Sequence, residues 1–398
     1  MNKKGWHTKT LDQALQKTQT VNPLQSPEVE FDYIDVSSVS NTTFQIKEIQ
    51  RIKGKDAPSR ARRVVRANDV LFATVRPTLQ RIAIVPEHLD NQVCSTGYLV
   101  LRPKAGIDHR FVFYSLFTQK FMRQMEILQK GASYPAVTDG EVRAQVIPVP
   151  PLPEQQRIVG ILDEAFDGIA IAKANAEKNL QNARALFESY LQSVFADAWR
   201  TCKLVTLLDL ASDITDGDHM PPPKSPTGVP FITIGNINKN TRRINFSDTF
   251  KVSHGYFDGL KINKKPKLGD VLYTVTGSFG IPVLVRDNIN FCFQRHIGLV
   301  RPKTETSSAW LYYLLMSPQV FQQANDGATG TAQKTVSLKV LRGLQVPKLP
   351  LTRQQSDVAK LDVLSEESQR LEAIYQRKLA ALDGLKKSLL HQAFTGQL

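Results

Sequence analysis

A stretch of about forty-five residues occurs twice in this chain, and the repeat constrains the fold more than any other feature. Residues 153–199 read Pro-Glu-Gln-Gln-Arg-Ile and then run on as a mixed polar and apolar segment. Residues 352–398 repeat the plan. Shifted by 199, Leu152, Gln155, Gln156, Val159, Leu162, Asp163, Ser189, Leu191 and Phe195 fall without a gap on Leu351, Gln354, Gln355, Val358, Leu361, Asp362, Ser388, Leu390 and Phe394. A chain that repeats a long element mid-way and at its end is two copies of one plan.

The period makes both copies helices. Leu361, Leu364, Ser368, Leu371, Tyr375, Lys378, Leu382, Leu385 and Leu389 alternate in steps of three and four, the a/d seam of a coiled coil with polar breaks. The first copy places Leu162, Ala165, Ile169, Ala172, Ala176, Asn179, Ala183, Leu186 and Tyr190 at the same steps. One seam is rich in large residues and the other in alanine, which suits close packing of the two. A helix of some forty residues is roughly 60 Å long at about 1.5 Å per residue and cannot bury itself. The other copy is the economical partner, and the remaining apolar surface is open to further subunits.

The helices divide the chain into a lobe at 1–152, a helix at 153–198, a lobe at 199–351 and a helix at 352–398. The lobes echo each other. Phe31–Val39 answers Pro230–Ile237, Asn68–Arg76 answers Leu268–Thr276, Gly97–Lys104 answers Ile297–Lys303, and the aromatic run Arg110–Phe117 answers Ala309–Met316. Each reads as a compact mixed domain of short strands with few helices, so the class is α+β. Lys47–Arg66 reads as a basic loop from its Gly and Pro. The lobes share a framework and differ in their loops, as a scaffold that reads two targets would.

Charge gives the first functional pointer. The formal charge is +14; the two helices together carry −2, so +16 lies in the lobes, +7 in the first and +9 in the second. Two basic lobes on near-neutral helices imply a polyanion met at two places. Three cysteines, Cys94, Cys202 and Cys292, give neither a disulfide framework nor metal-ligand spacing. The start Met-Asn-Lys-Lys-Gly-Trp has no apolar signal core, and no apolar run approaches membrane-spanning length. A reducing, cytoplasmic setting without membrane contact is expected.

No catalytic constellation stands out. The sequence has no Gly-x4-Gly-Lys-Ser/Thr phosphate loop, no Gly-x-Ser-x-Gly elbow, no Asn/Asp-Pro-Pro-Tyr and no paired histidines at zinc spacing. Asp213, Asp216 and Asp218 read as a solvated turn. Recognition remains. Lys and Arg on loops hold phosphates, whereas Arg, Gln and Asn read base edges. The phosphate candidates are Lys53, Lys55, Arg62, Lys264 and Lys265. The base candidates are Arg60, Arg76, Gln80, Arg81, Ser133 and Tyr134 in the first lobe, with Lys224, Arg242, Ser278, Arg295, His296 and Lys334 in the second. Two readers on a fixed rod touch double-stranded DNA at two separated short sites.

These residues resemble a known family along the whole chain. Ala57-Pro-Ser-Arg-Ala-Arg-Arg-Val-Val, Asp69-Val-Leu-Phe-Ala-Thr-Val-Arg-Pro, Pro150-Pro-Leu-Pro-Glu-Gln-Gln-Arg-Ile-Val and Leu389-Leu-His-Gln-Ala-Phe-Thr-Gly-Gln-Leu are similar to the specificity subunits of type I restriction-modification systems. Thr352-Arg353 departs from the Pro153-Glu154 of the first copy. The resemblance implies two target-recognition domains separated by two long antiparallel coiled-coil helices, related by a pseudo-twofold internal repeat. It implies a non-catalytic chain that binds no cofactor itself and docks two modification subunits and the restriction subunits. S-adenosylmethionine, ATP and Mg are expected on those partners. Subunit contacts are expected outside the seam, at Ile158, Phe166, Phe187 and Leu191, with Leu379 and Leu390. The alternative is a stand-alone sequence-specific DNA-binding regulator of the same architecture; a divergent enzyme and a plain coiled-coil scaffold fit the residues less well.

Overall fold

The computed structural model describes residues 5–220, 222–331 and 333–398. Met1–Lys4 of the leader reading, Pro221 of the proline insert and Ala332 of the small-residue loop lie outside them. The chain forms two compact units, one of residues 1–177 with 376–398, the other of residues 178–375. Each unit holds one lobe and a segment of each long helix.

In the first unit, His7–Thr10 pairs antiparallel with Val146–Val149 and clasps the lobe's beginning to its end. Its centre is the antiparallel trio Ile82–Ile84, Val70–Ala73 and Tyr98–Leu101. All four residues of Val70–Ala73 are buried, because both faces are covered. Val70, Phe72, Leu99 and Leu101 face the helices through Val112, Leu116, Phe121 and Met125. Leu71, Ala73, Tyr98 and Val100 face the other way, onto Ile34, Val39 and Cys94. The period of two along the strands thus serves two cores. A second sheet runs Gln50–Lys53, Glu30–Ile34, Val93–Ser95, Ala61–Val64, its central pair parallel.

The second unit repeats this. Leu204–Thr206 clasps Gln345–Pro347, and Val271–Thr274 lies between Pro282–Leu284 and Ile297–Pro302. Val229–Ile232 pairs in parallel with Cys292–Phe293, as Glu30–Ile34 does with Val93–Ser95. Cys94 and Cys292 are buried on equivalent strands.

A buried ion pair staples each central sheet. Arg102 grips both carboxylate oxygens of Asp69 at 2.8 and 2.7 Å, and Arg301 grips Asp270 at 3.0 and 2.7 Å. A glutamine joins each lobe to its helix. Gln155 accepts from the Asp108 N–H and donates to the carbonyls of Gly106 and Pro150; Gln354 accepts from Ser307 and donates to Glu305 and Leu349. The Tyr114 hydroxyl donates to Asp163, and that of Tyr313 to Asp362. These joints explain why the helix repeat includes its Gln and Asp.

The long helices run Leu152–Thr201 and Leu351–Thr395. Their segments are antiparallel in each unit: Lys173 pairs with Asp383 in the first, and Arg184 with Glu372 in the second. The second helix stops at Gly396, whose φ of 74° is the left-handed termination glycine permits. Asp197 stands at that place in the first helix, which continues for four more residues to Thr201.

Four details differ from the sequence expectations. Lys47–Arg66 is not a plain loop; it carries the strands Gln50–Lys53 and Ala61–Val64 around a 3-10 turn, with its arginines and lysines on their edges. Each lobe carries further helices, Gln119–Leu128 and Asp139–Arg143 in the first and His254–Gly259, Pro318–Asp326 and Leu338–Gly343 in the second, too short for their periods to stand out in sequence. Asp213 and Asp216 lie on the strand Ala211–Asp216, not in a turn. The first helix leaves the seam after Ala183: Leu186 is exposed, and Phe187 and Leu191 turn inward against the lobe instead. Successive steps of four drift with the natural 3.6-residue period rather than holding the heptad.

Candidate nucleic-acid interface

The lobes present one loop frame at equivalent places. In the first lobe, Val75 and Lys130 both bridge to Ala136. The Arg76 N–H donates to the Pro135 carbonyl at 2.6 Å, and the Val137 N–H to Thr74 at 3.0 Å. In the second, Thr276 and Thr329 bridge to Thr335. The Gly277 N–H donates to Lys334 at 3.0 Å, and the Val336 N–H to Val275 at 2.7 Å. Gly131 and Gly330 turn the partner loops at φ of 108° and 102°. Two loops are therefore held side by side by main-chain bonds, leaving their side chains free to differ.

In the first lobe the frame brings Arg76 to Ser133 and Tyr134, with Gln80 at the far end of the 3-10 turn Pro77–Leu79. The Arg76 guanidinium sits 4.6 Å over the Tyr134 ring and donates to the Ser133 carbonyl at 3.1 Å. Tyr134 itself is 70 % exposed. Arg60 joins this edge through the main chain: its carbonyl accepts from Thr96, and the next residue, Gly97, accepts from Thr74. In the second lobe the frame gathers Ser278, Arg295, His296 and Lys334. The His296 carbonyl accepts from Val275 at 2.9 Å, so Arg295 and His296 occupy the places of Thr96 and Gly97. A cavity of about 320 Å³ opens here between Asp216, His219, Thr276, Arg295, His296 and Gln333. Burial, and then the charge of Arg295, hold the His296 ring below the usual imidazole pKa. His219 lies 3.0 Å from the Asp216 carboxylate.

Several candidates, two of the second frame's own among them, make bonds within their lobe. Lys53 and Lys55 share Glu28 at 3.1 and 3.3 Å, on the edge of the second sheet opposite to the strand of Arg62. Arg62 donates to its neighbour's carbonyl, that of Ala61. Arg81 is tied into the fold: one of its nitrogens bonds the carbonyls of Val36, Ser37 and Val39. Lys264 bonds the Gly217 carbonyl, and Lys265 bonds that of Asp258 while covering the Phe257 ring. Lys224 lies over Phe250. Arg242 is half-buried with a left-handed φ of 49°, its Nε enclosed without a partner. Lys334 donates to Asn325, and Ser278 accepts from Lys239.

The sequence reading missed Asp216, His219, Thr276, Gln333 and Lys239. The echo of Thr74–Arg76 in Val275–Gly277 could have found Thr276, but a loop's partner loop is not visible in sequence. Of the proposed subunit contacts, Ile158, Leu191 and Leu390 are buried in the chain's own cores. Phe166 packs on Tyr114 and Phe187 on Tyr313, while Leu379 is half-exposed. Those apolar helix faces are largely used to seat the lobes.

Among the described residues no group of His, Cys, Asp or Glu could hold a metal ion, and no helix is long and apolar enough to cross a membrane. Residues 5–182 and 211–377 match the family model described as the type I restriction modification DNA specificity domain. The chain belongs to this family. Each match begins in one lobe and ends in the long helix that follows it, which is the internal repeat seen from outside. The specificity subunit of the type I restriction enzyme HindI of Haemophilus influenzae is 29 % identical over 161 residues. That match takes in 40 % of this chain and 35 % of the relative, so the chain spans about a third of that relative's length. A solved structure concerning complex assembly and conformational transition of the type I R-M system superposes with a TM-score of 0.86 at 29 % identity, covering 100 % of this chain and 99 % of the other. The HsdS subunit of Thermoanaerobacter tengcongensis superposes at 0.68, also at 29 % identity, covering 100 % and 98 %. The specificity family therefore accounts for both lobes and both helices.

Proposed function

We propose that this chain is the sequence-reading subunit of a type I restriction-modification complex, recognising a split DNA site. Each lobe reads one half-site with its paired loops, and the long helices act as the ruler that fixes the gap. The observation that carries this reading is the repeated loop frame: the same main-chain bonds hold Arg76, Ser133 and Tyr134 in one lobe and Gly277, Gln333 and Lys334 in the other. One frame with two side-chain sets suits two different targets. The basic excess of both lobes supplies the non-specific affinity for DNA.

On this reading the chain carries no catalysis and no cofactor. Two modification subunits bring S-adenosylmethionine and methylate adenine in each half-site; restriction subunits bring ATP and Mg. Helix residues still exposed, such as Ile171, Val363 and Leu385, fit subunit contact better than the buried Ile158, Leu191 and Leu390.

Co-expression with modification subunits from the same locus, followed by mapping of N6-methyladenine in host DNA, tests the proposal. Two short defined halves around a fixed undefined gap are expected. A soluble, methylating complex whose sites are undivided would overturn it.

A further inference from the structure

Resting on that reading, we propose that Arg76 is a specificity-determining residue that reads a guanine in the half-site of the first lobe.

The argument begins with the backbone. Arg76 and Gln80 hold φ of 49° and 54°, the left-handed region that side chains with a Cβ disfavour. The second lobe puts glycine at the corresponding turns, Gly277 at 69° and Gly280 at 89°. The frame thus needs a left-handed residue, and glycine meets that need without strain. The arginine does not serve loop closure either. In the second lobe the same loops close through the Gly277 N–H on Lys334 and the Thr276–Thr335 bridge, with no guanidinium and no tyrosine. What Arg76 adds over glycine is its side chain.

That side chain is pre-positioned. The Tyr134 ring lies under the guanidinium at 4.6 Å, and the Ser133 carbonyl takes one N–H of Nη2. Among the described residues its remaining N–H groups have no partner, and both Arg76 and Tyr134 are exposed. A planar guanidinium held by one face and one corner keeps a two-donor edge directed outward. Guanine offers the matching pair of acceptors, N7 and O6, in the major groove. The same fork also fits a phosphate, and the salt dependence measured below separates the two contacts.

The test uses the chain assembled with its modification subunits, selecting duplexes from a randomised library. Wild type, Arg76→Gly and Arg76→Lys are compared, and thermal unfolding is recorded for each. The wild-type complex should select a split motif containing a G·C pair that Arg76→Gly no longer distinguishes, a loss of roughly 10- to 100-fold in discrimination at that pair. The other half-site should be unchanged, and the melting temperature equal or higher. Arg76→Lys, which keeps charge but not the fork, should not restore the preference. An unchanged motif in Arg76→Gly overturns the assignment. So does uniform weakening at every sequence with a shallower salt dependence, the mark of a phosphate contact. A lowered melting temperature with both halves lost overturns it in favour of a structural role. A wild-type complex that selects no split motif overturns the sequence-reading function itself, and this assignment with it.

Discussion

The loop 74–80 of the first lobe and the loop 275–281 of the second are fastened by the same bonds yet display different chemistry. One shows an arginine stacked on a tyrosine; the other shows glycine beneath Gln333, whose amide nitrogen would lie 2.9 Å from a Cβ at Gly277. Beneath the loops the lobes barely differ. Asp69–Arg102 and Asp270–Arg301 staple the same strands, and Gln155 and Gln354 make the same three bonds. The comparison teaches that main-chain bonds and buried pairs define the frame, while exposed loop side chains are free to vary because nothing in the fold depends on them.

If the frames are equivalent, equal damage should cost equally. Asp69→Ala and Asp270→Ala each strand a buried guanidinium and should each destabilise their unit by about 3–5 kcal/mol, measured by urea unfolding. A large effect in one lobe only would break the equivalence. Gln155→Leu and Gln354→Leu deprive one main-chain N–H and two carbonyls of their partner, and should each cost about 2–3 kcal/mol. Hydrogen exchange at Asp108 and at Ser307 should rise in the respective variants.

The loops should behave in the opposite sense. Gly277→Arg forces a side chain into the left-handed region and should cost about 1–2 kcal/mol, whereas Arg76→Gly should cost nothing or gain up to about 1 kcal/mol. A melting comparison of the two variants decides this. If Arg76→Gly is as damaging as Gly277→Arg, the loops are not interchangeable frames.

The smallest effect is in titration. Burial lowers the pKa of His109 in the first lobe, and burial with Arg295 lowers that of His296 in the second. Folding favours both neutral rings, so their contribution is complete above the unfolded value of about 6.5 and is lost as pH falls through the folded value. Proton NMR of the ring hydrogens should find both midpoints below that value. A midpoint above it would mean that a neighbouring carboxylate, such as Asp108 beside His109, outweighs burial.

Much of the architecture was legible in the chain. The unbroken 199-residue offset gave two lobes and two helices, because a long helix imposes its period on every residue it contains. The strand echoes were legible too, since Val70–Ala73 and Val271–Thr274 are buried on both faces and are largely apolar. The site was legible only in part. Arg76, Ser133 and Tyr134 were named from their residue types, and they meet; Arg81, Lys264 and Lys265 were named on the same grounds, and each bonds a main-chain carbonyl. A basic residue's letter does not say whether a carbonyl lies within its reach.

Sequence alone therefore determined what is periodic or repeated: the helices, the doubled lobe, the distribution of charge and the family. Tertiary structure decided what depends on residues far apart in the chain. It brought Gln333 over Gly277 and Tyr134 under Arg76, and it turned Phe187 and Leu191 away from the helix seam toward the lobe. The physical reason is range. Periodicity is set by neighbours three or four residues away, whereas a loop's partner is set by main-chain bonds across some sixty residues, as between Val75 and Ala136.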